Sequence, residues 1–303
     1  MKAWVKGVIA GAVIAAIGVI ILIAGLYFND WNYAYGAGNI TMETAEFDSE
    51  PVNSILINVD SSAVKTEYYE GEKIIVDYPV SERYVSEVVL TDKSLRISGR
   101  HRRFWWQILS FNIGSLPEIT VKLPLNKVVD LTLNMDAGKA SIASGTFGKM
   151  DLKLVAGEVR LDDVVCENFN AELDAGSIKT GNIVCTDFNA DLDAGSIKTG
   201  NIVCTNFNAD LDAGYFSAAA IKSASITCVA TAGKIKINSI MSGTTKFNIS
   251  AGEVEATFTG KQSDYNISVH KSAGKCNVES SSSDSAQYII VNISSGSAEL
   301  NFA

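Results

Sequence analysis

The chain predicts an all-β fold: a single-stranded parallel β-solenoid of about 19-residue coils, preceded by one N-terminal transmembrane α-helix. Three observations carry this. A glycine recurs every 19 residues at Gly138, Gly157, Gly176, Gly195, Gly214, Gly233 and Gly252, then at intervals of 22 as Gly274 and Gly296. The positions around that glycine alternate between apolar and polar, the period of a strand rather than a helix. Finally, Val8 to Phe28 is an uncharged, mostly apolar run.

The N-terminal run comes first. A bilayer core of about 30 Å takes roughly 20 helical residues, so 8–28 is long enough to span. A cleaved signal peptide needs a shorter apolar region and a small-residue cleavage site, whereas Leu26, Tyr27 and Phe28 end this one. Lys2 and Lys6 precede the run and Asp30 follows it, which places a cytoplasmic stub at 1–7 and everything after the span outside. The expected location is a bacterial cell membrane, single-pass, with the bilayer as a partner through residues 8–28. Tyr27, Trp31, Tyr33 and Tyr35 suit the outer interface. Residues 29–48, rich in Asn, Gly, Ala and Thr, read as a linker.

The exterior part holds all 34 acids and all but two of the 25 bases, since the first 28 residues contribute only Lys2 and Lys6. Such an acidic surface is a poor nucleic-acid binder. With 47% hydrophobic residues the chain can bury a large core. Two histidines leave little for a histidine-rich metal site.

Residues 49–303 read as one continuous ectodomain. Within it, 49–130 form irregular N-terminal coils and a cap, with strands near Ile55–Val64, Lys73–Tyr78, Glu87–Leu90, Ser94–Ser98 and Ile119–Leu123. Regular repeats fill 131–303. The segment Asn168–Thr186 recurs nearly unchanged from Asp187 to Thr205. Two residues after each marker glycine stand Ala140, Val159, Ile178, Ile197, Phe216, Ile235, Val254, Cys276 and Ala298, all apolar. Three before it stand Met135, Leu154, Leu173, Leu192, Leu211, Ala230, Ile249, Lys271 and Ile293. Lys271 is the exception and suggests a shifted register in the first lengthened unit. Coils about 4.8 Å apart would stack equal columns into a rod of roughly 40 Å.

Two before each glycine stand Asp136, Val155, Asp174, Asp193, Asp212, Thr231, Ser250, Ser272 and Ser294. Short side-chain oxygens there read as corner acceptors, with glycine supplying backbone freedom. The acids also stack. Asp174, Asp193 and Asp212 form one column and Glu172, Asp191 and Asp210 another, and these six are the calcium candidates. Later coils keep the oxygen and drop the charge, and Lys179 and Lys198 lie near enough in sequence to balance it. The corner reading is therefore preferred and no metal or cofactor is expected.

Cys166, Cys185 and Cys204 share one inward column, and Cys228 and Cys276 fall in apolar columns. They read as unpaired core thiols. Arg102, Arg103, Phe104, Trp105 and Trp106 form a basic aromatic stretch, read either as a membrane or partner interface or as a cover for an open solenoid end. No Ser/His/Asp set, nucleotide-binding glycine loop or histidine metal motif is visible, so an enzyme is not expected.

The anchor, the Arg102–Trp106 insertion, the Ile119-Thr120-Val121-Lys122-Leu123-Pro124 strand ending and the Asp/Ser-Ala-Gly coils resemble the bacterial putative-adhesin family (LiaG-like, a domain of unknown function) over about residues 50–303. The resemblance implies a β-solenoid cell-envelope protein and carries over no catalytic residue. The expected role is non-catalytic adhesion, binding or envelope organisation. Envelope polysaccharide or a membrane or surface protein is the expected partner. Two alternatives are an envelope-stress accessory acting through a membrane partner and a carbohydrate-active β-helix enzyme. The terminal strand Ala298–Phe302 looks uncapped, which suggests self-association through the solenoid ends.

Overall fold

The computed structural model describes residues 40–81, 84–101 and 118–303. Residues 8–28 lie outside them. Among the described residues no helix is long and apolar enough to cross a membrane, and the one helical element is a 3-10 turn at Gln262–Asp264.

The repeat folds as its columns require. In the coil 168–186, strand β12 (Asn168–Leu173) bends at Asp174-Ala175 into β13 (Ser177–Thr180), bends again at Gly181, and continues as β14 (Ile183–Val184). The previous coil supplies β9 (Lys149–Leu154), β10 (Glu158–Leu161) and β11 (Val164–Val165), with β8 (Gly145–Thr146) before it. The next begins with β15 (Asp187–Leu192). Then β16 (Ser196–Leu211), β17 (Tyr215–Ala230) and β18 (Lys234–Ile249) each run through all three sides of a coil. Every pairing here is parallel and in register: Ile178 faces Ile197, and Phe169 faces Phe188.

The three sides enclose one apolar interior. Ile178, Ile197, Phe216, Ile235 and Val254 are fully buried. Phe169, Phe188 and Phe207 stack with centroids 5.1 and 4.9 Å apart and rings within 6° of parallel. Offset-stacked rings at this separation add about 0.5–1.5 kcal/mol per pair beyond burial.

The marker glycines differ from the sequence expectation. Of the nine, only Gly138 has a positive φ, at 114°. The rest are glycine because coils approach closely. A Cβ on Gly195 would lie 2.7 Å from Leu173 Cβ and 2.9 Å from the Gly176 carbonyl oxygen. The corner carboxylates also differ. Asp174, Asp193 and Asp212 are exposed and make no side-chain hydrogen bond among the described residues. Inter-coil backbone bonds hold the corner instead, such as Asp193 N to Leu173 O at 2.9 Å and Ala194 N to Asp174 O at 2.7 Å.

Both ends of the solenoid depart from sequence order. At the N-terminal end, β2 (Ser54–Tyr69) lies between β7 (Asp130–Ile142) on one side and β5 (Ser94–His101) with β6 (Glu118–Pro124) on the other, all parallel to it. Antiparallel strands close this end: β4 (Tyr84–Thr91) on β5, β3 (Lys73–Val80) on β6, and β1 (Thr41–Asp48) on β3. The expected linker therefore ends in a strand. Its outer edge carries Glu43, Glu46 and Asp48, charges that discourage further pairing.

The C-terminal end repeats the device. After β19 (Glu253–Phe258) the chain forms β20 (Asn266–Lys271) and β21 (Lys275–Cys276), then returns as β22 (Tyr288–Ile293) and β23 (Ser297–Phe302). The returning strands insert between β18–β19 and β20–β21. Two sequence expectations are thereby corrected. Ala298–Phe302 is not an uncapped edge: β19 covers one side, and on the other Lys275 pairs Ser297 while the Asn277 amide bonds both Leu300 N and Leu300 O at 2.8 Å. Lys271 is not out of register either. It pairs Ile293 and is exposed because its coil is outermost.

Candidate functional site

One side of the solenoid carries three outward columns that are polar at every position but Val229. The first is Lys149, Asn168, Asp187, Asn206, Ser225 and Thr244. The second is Asp151, Asn170, Asn189, Asn208, Thr227 and Lys246. The third is Lys153, Glu172, Asp191, Asp210, Val229 and Asn248. Parallel in-register strands set the vertical spacing at about 4.8 Å, and alternate residues along a strand stand about 7 Å apart.

The middle column is a directed amide ladder. Asn170 Nδ2 donates to Asp151 Oδ1 at 2.6 Å, Asn189 Nδ2 to Asn170 Oδ1 at 2.9 Å, and Asn208 Nδ2 to Asn189 Oδ1 at 3.0 Å. Each amide uses one N–H on its neighbour, so a second N–H per coil points away from the ladder. In the first column, Asn168 and Asn206 donate from either side to Asp187, at 3.3 and 2.7 Å. The same device returns where Asn134 Nδ2 meets Asn58 Oδ1 at 2.7 Å and Asn292 Nδ2 meets Asn248 Oδ1 at 2.9 Å. Tabulating the position six before each marker glycine would have found Asn170, Asn189 and Asn208.

The third column gathers charge. Lys153 Nζ reaches Glu172 Oε2 at 2.7 Å, but Asp191 and Asp210 have no basic partner among the described residues. Desolvation first, then Asp210, Asp193 and Glu172, raise the Asp191 carboxyl above its ordinary value. The two lysines expected to balance these acids are elsewhere: Lys179 pairs Glu158 at 3.0 Å, and Lys198 Nζ lies 5.8 Å from the Tyr215 ring centroid. Among the described residues no group of three or more His, Cys, Asp or Glu side chains is arranged to hold a metal ion.

Three of the thiols sit on another side, while Cys228 points inward from the ladder strand between Thr227 and Val229. Cys166 and Cys185 are buried and Cys204 half-buried, in one column with buried Ser223 and Ser242. All five cysteines are free. A thiol hydrogen bond with Cys166, reinforced by burial, pushes Cys185 up to about 12, and burial alone pushes Cys228 up further. Such thiols are protonated at neutral pH and are poor nucleophiles.

Nearer the N-terminal end, Arg96 and Arg100 of β5 line a shallow recess with Asn58, Asp60, Glu87 and Asn134. The Arg102–Trp106 stretch that follows lies outside the described residues.

The sequence profile described as "Toastrack DUF4097" matches residues 52–302. The chain belongs to this Toastrack family. No curated protein matches the sequence. Among solved structures, the Toastrack chain resembles a "putative adhesin" from Parabacteroides distasonis, with 11% identity, 88% of this chain and 98% of that chain covered, and a TM-score of 0.55. A "putative adhesin" from Bacteroides fragilis has 13% identity, 87% and 97% coverage, and a TM-score of 0.47. A "putative lipid binding protein" from P. distasonis has 15% identity, 88% and 98% coverage, and a TM-score of 0.45. At these identities the first likeness supports the Toastrack fold.

Proposed function

We propose that this Toastrack protein is a non-catalytic binding module of the cell envelope, held at the outer face of the membrane by residues 8–28. Its amide ladder lies against a repetitive, hydroxyl-rich polymer. The observation that carries the reading is the Asp151–Asn170–Asn189–Asn208 ladder. An amide donates and accepts at once, and the coils of Asn189 and Asn208 each present one unspent N–H beside the acceptor oxygens of Asp191 and Asp210. A hydroxyl needs that combination. Repetition at coil spacing suits a ligand that itself repeats, since many weak contacts along one chain add through effective concentration. The adhesin description of the P. distasonis relative points the same way.

The test is a glycan and wall-fragment array probed with residues 36–303. Binding to a linear polysaccharide should fall at least ten-fold in the triple variant Asn170→Ala, Asn189→Ala, Asn208→Ala with unchanged circular dichroism. Equal binding by the variant would overturn the reading. Protease protection of the N-terminus in intact cells tests the anchor.

A further inference from the structure

We propose that the space between β18–β19 and β20–β21 is a strand-acceptor site, and that its partner in trans is the terminal coil, residues 287–303, of a second copy of this chain. In the structure the site is filled by the chain's own terminal coil. Tyr288–Ile293 pairs with Thr244–Ile249 on one side and with Asn266–Lys271 on the other. Ser297–Phe302 pairs with Glu253–Phe258, and Ser297-Ala298 with Lys275-Cys276. No strand pairing joins β18 or β19 directly to β20 or β21. Apart from the inserted coil, the outermost coil is tied back through its own turn, where the Tyr265 hydroxyl donates to Thr259 O at 2.5 Å and the Phe258 and Tyr265 rings lie 5.4 Å apart.

The site has selective features. Ile289, Val291, Ile293, Ala298 and Leu300 all point inward and are buried. A Cβ at Gly296 would overlap the Gly252 carbonyl oxygen and Ile249 Cγ2, so the bend between the two strands must carry glycine. The occupant is therefore recognised by alternating apolar side chains and one glycine, a pattern the terminal coil of an identical chain satisfies completely.

The connection allows the exchange. Asn277 to Gln287 links β21 to β22, and with Ser280 and Ser281 held on β20 the remaining stretch 282–287, extended, reaches up to about 20 Å. Its serine-rich part lies along β20, with Ile267 N donating to Ser281 O at 2.8 Å and Val269 N to Ser280 Oγ at 2.9 Å. Those bonds belong to the outermost coil, so it keeps them whichever chain fills the site. A swap between two copies restores every contact of the coil, which makes it a low-cost route to a dimer. The exposed-edge route to end association is replaced by this one.

The experiment uses the full chain with a protease recognition sequence inserted after Ser282. After cleavage of the folded protein, the 283–303 fragment should stay bound on gel filtration. An added fluorescent peptide of residues 287–303 should replace it over time, and the Gly296→Ala peptide should bind at least ten-fold more weakly. Exclusion of the peptide while amides of 259–281 stay protected would overturn the proposal, as would equal entry of the Gly296→Ala peptide. A second measurement needs no cleavage. Two differently tagged full chains, mixed at high concentration, should co-purify in a concentration-dependent way, and Val291→Asp in one should abolish the capture of its coil. Failure to co-purify at every concentration overturns the proposal.

Discussion

Lys271 and Ile293 face each other in register across a parallel strand pair, yet Lys271 is exposed and Ile293 is 3% exposed. One column position has two environments because the coil holding Ile293 is covered on both sides and the coil holding Lys271 on one. Lys271→Ile should change stability by less than about 0.5 kcal/mol, as exposed substitutions do. Ile293→Lys should cost more than about 4 kcal/mol, because it buries an unpaired charge. Denaturant midpoints of the two variants check this; equal losses would contradict the coil order.

The corner glycines are spacers between coils. Gly195→Ala places a Cβ 2.7 Å from Leu173 Cβ, and overpacking of this kind costs about 1–3 kcal/mol. Asp193→Ser, at the same corner, should be neutral within about 0.5 kcal/mol, because the exposed Asp193 carboxyl makes no hydrogen bond among the described residues. Thermal unfolding of both variants separates a packing corner from one held by carboxylates.

Two carboxyls should show opposite pH behaviour. Asp191 is raised in the fold, so its ionised form is disfavoured there. That penalty is complete above its folded pKa and disappears below the unfolded value near 3.8. Asp191→Asn should therefore raise the midpoint at pH 7 slightly and lose the advantage by about pH 3. Glu255 is lowered to about 2 by hydrogen bonds from Lys234 at 2.5 Å and Lys236 at 3.0 Å. Its contribution is present above the unfolded value of 4.5 and is lost as pH falls toward 2. Glu255→Gln should cost about 0.5–1 kcal/mol at pH 7 and clearly less at pH 2, discounted for exposure. Urea melts at both pH values read the signs.

The buried thiols should resist alkylation. With Cys185 pushed up to about 12 and Cys228 fully buried, iodoacetamide at pH 7.5 should modify these positions at least a hundred-fold more slowly in folded than in urea-unfolded protein. Rapid native labelling at Cys185 would contradict its place in the interior column.

The amide ladder was within reach of the sequence but was not recognised there. The Asn170, Asn189 and Asn208 column is regular at 19-residue spacing, yet only stacked coils bring each amide within 3.0 Å of the next. That Asp191 and Asp210 have no basic partner among the described residues was hidden for another reason. Lys179 and Lys198 look close along the chain, but their side chains leave from the next side of the coil, toward Glu158 and Tyr215.

By itself the sequence determined the all-β class, the coil length, the inward columns and the family, because a strand's period and a repeat's spacing are properties of the chain. Tertiary structure alone decided which coil lies outermost. Backbone pairing accepts any strand of the right alternation, so order along the chain does not impose order along the stack. The buried ends, at Ser54–Tyr69 and Tyr288–Phe302, are where stacking gains most from a second covered side.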